Sequence, residues 1–182
     1  MANEDERIPL IVALKFYSKK DNYANLSILL GLALFVVLIG SVVARIPFSV
    51  FTFHPVFMTL FIILVTEGIA SLQPTTTTTE KKVGLKYHAW IQSGSYLSAI
   101  IGVSFIFYNK VISNKPHFET VHGKLGLFVF IYLFVQVVFG ATIGLIPITI
   151  YGSLDKAKKL WKYHRILGYI LLLLLWITTQ LG

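Results

Sequence analysis

The 182-residue sequence contains no cysteine and few charged residues. Without cysteine, the chain can form neither disulfides nor thiolate sites for zinc, iron or iron–sulfur clusters. Charged residues make up 13% of the chain, about half the share of a typical soluble domain, and hydrophobic residues make up 55%. The mean hydropathy is +0.74. This shortage of charge indicates that lipid is the solvent for most of the chain.

The positive charge and the N-terminus fit the same interpretation. The net charge is +8, but the Lys and Arg residues lie between apolar runs rather than in one basic patch, so we expect no nucleic-acid partner. The N-terminal sequence MANEDERIPL is acidic and lacks the basic start and cleavage site of a secretory signal. We therefore expect residues 1–25 to form a retained tail and residues 26–182 to form a transmembrane domain.

Five apolar segments are long enough to cross a bilayer as helices, which takes about 20 residues. They are Leu26–Ala44, Val50–Leu72, Tyr87–Tyr108, Gly123–Ile150 and Tyr163–Leu181. The fourth contains Pro147 and is expected to bend or break there, because proline disrupts a helix interior. The sequence thus predicts an all-α membrane protein, an antiparallel bundle of transmembrane helices joined by short linkers.

Lys and Arg are unevenly distributed between the two sides of this predicted bundle. The N-terminal tail and the second and fourth linkers, with their flanks, hold twelve of the 16 basic residues; the first and third linkers hold four. Basic residues favour the cytosolic side, so the N-terminus is predicted to be cytosolic. The expected location is an endomembrane, of the endoplasmic reticulum or a vesicle, rather than the plasma membrane.

Four of the five histidines occupy equivalent places, each within about two turns of the start of a span. His54, His88, His122 and His164 are separated by intervals of 34, 34 and 42 residues, close to one span plus one linker. Because consecutive helices run antiparallel, His54 and His122 should share the non-cytosolic side, and His88 and His164 the cytosolic side. An ionisable residue inside a span usually indicates function; the alternative is a hydrogen-bonded group between helices.

Two imidazoles at each level favour one kind of cofactor. A zinc or di-iron site needs three or more side-chain ligands, often carboxylates, and the spans hold essentially one carboxylate, Glu67. Two axial imidazoles satisfy a six-coordinate haem, which suits electron transfer. Without cysteine, covalent haem attachment is excluded. We therefore predict two haems of the b type, with iron ligated by the pairs His54–His122 and His88–His164.

Glycines recur at positions that return to the histidine face of each helix, fourteen or eighteen residues later. Gly68 follows His54, Gly102 follows His88 and Gly140 follows His122 at this spacing. Gly126 and Gly168 follow the last two histidines by four residues. We predict that these five glycines make room for the flat macrocycles, although small residues also let spans pack closely.

Several segments resemble the cytochrome b561 family, most closely its small eukaryotic members. The segments are FHPVFMTLFIILVTEGI, KYHAWIQ, HFETVHGKLGLF and KYHRILGYI, and the likeness extends over residues 26–182. The resemblance implies a four-helix core holding two haems, each between two histidines, with the ligand roles on the four histidines already identified. It also implies electron transfer from cytosolic ascorbate to monodehydroascorbate or ferric iron across the membrane, and a homodimer.

The family has six spans, whereas this sequence stops at Gly182, after the fifth. The expectation is that the sixth helix is lost or that the sequence is a fragment. All four candidate ligands precede this end.

Candidate substrate residues lie near the histidines. Ascorbate is an anion, so its site should be basic; Lys82 and Lys86 precede His88, and Arg165 follows His164. Ordinary positive-inside charge explains the same residues without a ligand. On the other side, His117 is a candidate for binding a ferric chelate or the ascorbyl radical, or it is an exposed loop histidine.

Two other functions are compatible with the sequence. A haem-bearing membrane anchor would take electrons from a quinol or a soluble partner. A non-redox transporter or scaffold would use the histidines for proton relay or packing, and would bind no haem.

Overall fold

The computed structural model describes residues 22–72 and 77–182, which are helical with connecting turns and include no strand. Five of its six helices are long and apolar enough to span a membrane, which confirms the predicted class of multi-pass, all-α membrane protein. Residues 1–21 of the expected tail lie outside the described residues, and the first described helix already begins at Asn22. In chain order the helices are α1 (Asn22–Val43), α2 (Val50–Ala70), α3 (Thr78–Ile112), α4 (Val121–Gly144), α5 (Pro147–Tyr151) and α6 (Leu154–Gln180).

Helices α3 and α6 begin nine residues before the apolar runs from which they were predicted. These added N-terminal turns carry lysines, which hydropathy excludes from a span although lysine is a good helix former. Ser153 caps α6, because its side chain accepts a hydrogen bond from the backbone N–H of Lys156. Each of these helices therefore has a basic extension of about 13 Å before its apolar part.

The fourth predicted span is broken near Pro147, as expected. Helix α4 ends at Gly144, and Pro147 begins the separate short helix α5. Proline has no N–H to continue the helical hydrogen bonds, but it is well suited to a first helical turn. Gly152, with φ of 75°, then reverses the chain into α6. Residues 145–153 are thus a structured corner rather than the end of a span.

The chain divides between Ile106 and Phe107 into two compact units. In the first unit, α1 packs on α2, and most of its residues from Leu26 onward are exposed; among these, Leu32 and Phe35 are buried. Phe61 and Ile62 of α2 are almost completely buried, as are Ser95 and Ala99 of α3. The core of this unit therefore lies along the contact between α2 and α3.

A row of side-chain hydrogen bonds follows this contact. Gln92, Ser95 and Ser98 of α3 donate to backbone carbonyl oxygens of α2, at donor–acceptor distances of 2.8–3.2 Å. Their acceptors are Val65, Phe61 and Phe57. In lipid, a polar side chain without a partner is costly, and such bonds between helices contribute on the order of 1 kcal/mol each. They fix the register of the antiparallel pair.

Close approach of the two helices depends on glycine at position 102. A Cβ atom added there would lie 2.9 Å from Sδ of Met58 and 3.3 Å from Cβ of Phe57. One turn before Phe57 on α2, Phe53 stacks on Phe105, with ring centroids 4.7 Å apart. A side chain at position 102 would therefore push against a packed aromatic contact.

In the second unit, α4 and α6 form the main antiparallel contact, and α5 packs on both. Leu133 and Val129 of α4 are buried, as are Leu171 and Leu175 of α6. Tyr132 Oη donates to the carbonyl of Leu167 at 3.0 Å. This pair resembles the α2–α3 pair in combining an apolar core with side-chain-to-backbone hydrogen bonds.

Replacing Gly102 with Ala should destabilise the protein, because the added methyl group overpacks the α2–α3 contact by about 1–3 kcal/mol. Gly94→Ala is the matched control, since it gains the same helix propensity but its Cβ meets only Leu64 Cδ1, at 3.9 Å. Thermal unfolding in detergent should give a lower midpoint for Gly102→Ala than for Gly94→Ala. Equal midpoints would contradict this account of the contact.

Candidate functional site

The four equivalent histidines are all half-buried and lie on four different helices. His54 and His122 lie within the first two turns of α2 and α4, as predicted. His88 and His164 are each the eleventh residue of their helix, about three turns from its start, because α3 and α6 begin earlier than their apolar runs. His54 and His122 therefore lie near a capped helix start, whereas His88 and His164 follow a basic helical extension.

In the α2–α3 pair, the two histidines bond to each other's helix. Nδ1 of His54 lies 2.9 Å from the carbonyl oxygen of Gly102, and Nδ1 of His88 lies 2.8 Å from that of Gly68. Each acceptor is the residue fourteen positions after the other histidine. The arrangement is reciprocal, with one such bond at each end of the pair.

The α4–α6 pair repeats part of this arrangement. Nδ1 of His122 lies 2.9 Å from the carbonyl oxygen of Thr178, again fourteen residues after the other histidine of the pair, His164. The ring of His164 packs against the backbone at Gly140, where an added Cβ would lie 2.8 Å from Cε1. Trp161 and Phe139 approach the same ring edge-on, at centroid distances of 6.0 and 5.8 Å.

These contacts determine which ring nitrogen carries the proton in three of the histidines. A carbonyl oxygen can only accept, so the Nδ1 atoms of His54, His88 and His122 are the donors. In neutral imidazole, Nε2 then holds the lone pair that a metal ion requires. A ligating histidine is usually oriented by a carbonyl that accepts a hydrogen bond from its Nδ1, so the Nε2 atoms of these three histidines fit the ligation of a haem iron.

The structure gives the predicted glycines a further role. Gly68 and Gly102 supply the carbonyl acceptors, and a Cβ at Gly68 would lie 2.8 Å from Nε2 of Gln92. At Gly168, an added Cβ would lie 3.1 Å from Nε2 of Gln136, whereas at Gly126 it would meet only a methyl carbon of Thr178, at 3.9 Å. Four of the five glycines therefore allow close helix contacts. Their role in making room for a macrocycle stays a prediction.

Two glutamines belong to the site and were not predicted. Gln136, which is 7% exposed, donates from Nε2 to the backbone carbonyl of His164 at 2.6 Å. Gln92 lies one turn after His88 and bonds to Val65. Both glutamines could have been identified from the sequence, because an amide inside an apolar span needs an interhelical partner. Both glutamines lie beside the histidines of the basic extensions.

The candidate donor-site residues are exposed. Lys82 and Lys86 lie one turn apart on the same side of the α3 extension, and Lys86 precedes the half-buried His88 by two residues. Arg165 is also exposed and follows His164 directly. Each basic group is therefore close in sequence to a histidine and accessible to an anion, and its role in binding substrate stays a prediction.

His117 lies in a well-defined loop between α3 and α4. Its ring stands 4.5 Å from that of Phe107 and 5.8 Å from that of Phe118, measured between centroids. Lys110 donates to the carbonyl of Pro116 at 2.6 Å, and Phe118 has a positive φ of 55°. His117 is half-buried among these aromatic rings, so it is not an ordinary exposed loop histidine.

Within residues 22–72 and 77–182, no three His, Asp or Glu side chains lie together in a group that could hold a metal ion. A zinc or di-iron site of the usual kind needs at least three such ligands. The described helices therefore offer separate imidazoles, three of which are held by a backbone carbonyl.

The eukaryotic cytochrome b561 family matches residues 53–182, which include all four histidines. The chain belongs to this family. It is similar to the transmembrane reductase CYB561D2 of mouse, with 33% identity over 102 residues, 54% of this chain and 44% of the relative. The human protein of the same name is 30% identical over 146 residues, 78% of this chain and 64% of the relative. The cow protein is 29% identical with the same coverage.

These matches confirm the resemblance to the small eukaryotic members of the cytochrome b561 family. The chain spans 44–64% of the length of these relatives. For this chain, the activity, substrates and partners of a whole cytochrome b561 reductase are therefore proposals.

The haem-free protein should already hold three of its histidines in one tautomer. At neutral pH, nitrogen-15 solid-state NMR of the protein in lipid should show Nδ1 protonated and Nε2 unprotonated for His54, His88 and His122. His117 is the internal comparison, because no carbonyl of the described residues accepts a hydrogen bond from its Nδ1 and imposes this tautomer. A proton on Nε2 in the three span histidines would contradict the hydrogen-bond assignment.

Proposed function

We propose that this cytochrome b561 protein transfers electrons across a membrane through two b-type haems, from cytosolic ascorbate to monodehydroascorbate or ferric iron on the other side. One observation carries the proposal: three span histidines of a cytochrome b561 chain are fixed by backbone carbonyls in the tautomer that suits ligation. The name of the similar mouse and human proteins, transmembrane reductase, supports the same class of reaction.

The histidines orient the cofactor and the backbone orients the histidines. A hydrogen bond from Nδ1 to a carbonyl holds the ring plane and increases the basicity of Nε2. When bound, a b-type haem with two axial imidazoles supplies a one-electron redox couple without an open position for oxygen. The ligand pairs His54–His122 and His88–His164, and the count of two haems, come from the positions of the histidines in the sequence and stay predictions.

The electron balance is simple for either acceptor. The ascorbate anion loses one electron and one proton and becomes monodehydroascorbate. On the other side, monodehydroascorbate takes up one electron and one proton, or ferric iron takes up one electron and becomes ferrous.

Charge and aromatic contacts support a substrate site at each end. The exposed Lys82, Lys86 and Arg165 would attract the ascorbate anion close to His88 and His164. His117, packed between Phe107 and Phe118, offers a ring nitrogen to a ferric chelate or to monodehydroascorbate. The cytosolic N-terminus, the endomembrane location and a homodimer belong to the same proposal.

A non-redox scaffold is the second candidate function. The Nδ1 bonds of His54, His88 and His122 join neighbouring helices without any cofactor, and hydrogen bonds between spans can serve packing alone. The two functions differ in one measurable property, because the scaffold binds no haem.

The purified protein should show Soret and α-band absorption, and ascorbate at micromolar to millimolar concentration should reduce it. A reduced-minus-oxidised spectrum after adding ascorbate checks both points. Dithionite provides the fully reduced reference. Haem that dithionite reduces but ascorbate does not would favour a membrane anchor that receives electrons from a quinol or a soluble partner. Absence of haem absorption would favour the scaffold.

Histidine substitutions test the ligand pairs by counting haem. His88→Ala and His164→Ala should each reduce the haem content from two per chain to one, and the double variant should also keep one, because both residues ligate the same haem. Combining His88→Ala with His54→Ala should remove both haems. The pyridine haemochrome assay, normalised to protein, measures the ratio.

His117→Ala is the control for these variants and should keep both haems. A double variant of His88 and His164 that loses both haems would refute the pairing, as would a single variant that keeps two.

A further inference from the structure

The corner between α4 and α6 is held in a fixed shape. The hydroxyl groups of Thr142, near the end of α4, and Tyr151, at the end of α5, are 2.8 Å apart and form a hydrogen bond. Gly152 turns the chain in a left-handed conformation, and Ser153 then caps α6. The 24 residues of α4 rise about 36 Å, enough to cross the hydrocarbon core of a bilayer, so α5 lies at its border.

This corner exposes large apolar side chains. Leu145 is 78% exposed and Ile148 61%. Ile146, Ile150 and Leu154 are also exposed. At the border of a bilayer, such side chains are suited to insertion between lipid headgroups and acyl chains.

Exposed lysines follow on the α6 extension. Lys156, Lys159 and Lys162 are exposed, and no described carboxylate forms an ion pair with any of them. The nearby Asp155 is paired with Lys158 at 3.0 Å. Nζ of Lys162 lies over the ring of Tyr163, 4.8 Å from its centroid, which holds this charge close to the start of the apolar part of α6.

We propose that residues 145–162 form a binding surface for anionic phospholipid. The isoleucines of α5 would contact the acyl chains, and the lysines of the α6 extension would bind the headgroup. The positive-inside rule accounts for lysines on this side, but not for a structured apolar corner directly beside them. Anionic lipid satisfies both features, because it combines a negative headgroup with an apolar body and is concentrated in the cytosolic leaflet. The inference rests on the orientation given under the proposed function.

The test uses the full chain with its haem, purified in a neutral detergent and titrated with phosphatidylserine or, for comparison, phosphatidylcholine. Phosphatidylserine should raise the thermal midpoint saturably and should form discrete adducts in native mass spectrometry. Each lysine near an anionic membrane surface contributes about fivefold in affinity. Lys159→Gln combined with Lys162→Gln should therefore weaken phosphatidylserine binding by about 25-fold.

The matched control combines Lys115→Gln with Lys124→Gln, which removes the same charge from the α3–α4 side of the chain and should leave lipid binding unchanged. Equal weakening in both variants would overturn the proposal, because net charge alone would then be responsible.

Two further comparisons distinguish lipid from a small anion. Ile148→Ser combined with Ile150→Ser leaves the charge intact and should still weaken phosphatidylserine binding; unchanged binding would overturn the proposed contact with acyl chains. Inorganic phosphate should not reproduce the rise in midpoint, and an equal rise would assign the lysines to a general anion site. If the lysine variant loses reduction by ascorbate while its lipid adducts persist, these lysines belong to the donor site and the proposal fails. Haem content, measured on the same samples, reports separately on the proposed electron transfer.

Discussion

The hydrogen bond from a histidine Nδ1 to a backbone carbonyl of the antiparallel neighbour is the interaction on which the rest of the structure depends. Lipid offers no substitute partner for an imidazole, so a histidine inside a span must find an acceptor on an adjacent helix. A helix normally uses its carbonyls internally, but a carbonyl has two lone pairs and can accept a second bond. At Gly102 and Gly68 the absence of a side chain lets the neighbouring helix approach closely, and the imidazole of that helix bonds to the glycine carbonyl.

The reciprocity of these bonds links packing to function. His54 and His88 each bond to the other's helix, fourteen residues from the other histidine, so one register satisfies both ends of the α2–α3 pair. Gln92, Ser95 and Ser98 fall between them and reinforce the same register. A shift by one helical turn would break all five bonds at once. The orientation of the candidate iron ligands is therefore a property of the whole contact between the helices and does not depend on a single rotamer.

Much of the fold could be predicted from the sequence, because hydropathy, proline position and histidine spacing are patterns along the chain that do not depend on its three-dimensional register. Hydropathy identifies five spans, Pro147 marks the break after α4, and the 34-residue intervals identify the histidines. The starts of α3 and α6 were predicted too late, since a lysine-rich helix that leaves the membrane has the polarity of a loop. The role of Gly68 and Gly102 as carbonyl acceptors could not be predicted, because it depends on the three-dimensional register. Gln136 was detectable as a polar residue in a span, but its bond to the backbone of His164 was not.

The four span histidines lie in two kinds of environment. His88 and His164 lie about three turns into helices whose first turns are basic, and each has a glutamine of its own unit beside it. His54 and His122 lie close to capped helix starts, and His122 follows the compact loop that holds His117 between two phenylalanines. In the proposed function, ascorbate would be recognised by charge, which the exposed lysines of each basic extension supply. In the proposed function, the aromatic rings around His117 would contact a planar or chelated acceptor. The difference between the two environments therefore distinguishes the proposed donor end from the proposed acceptor end, which the repeated histidine positions alone do not do.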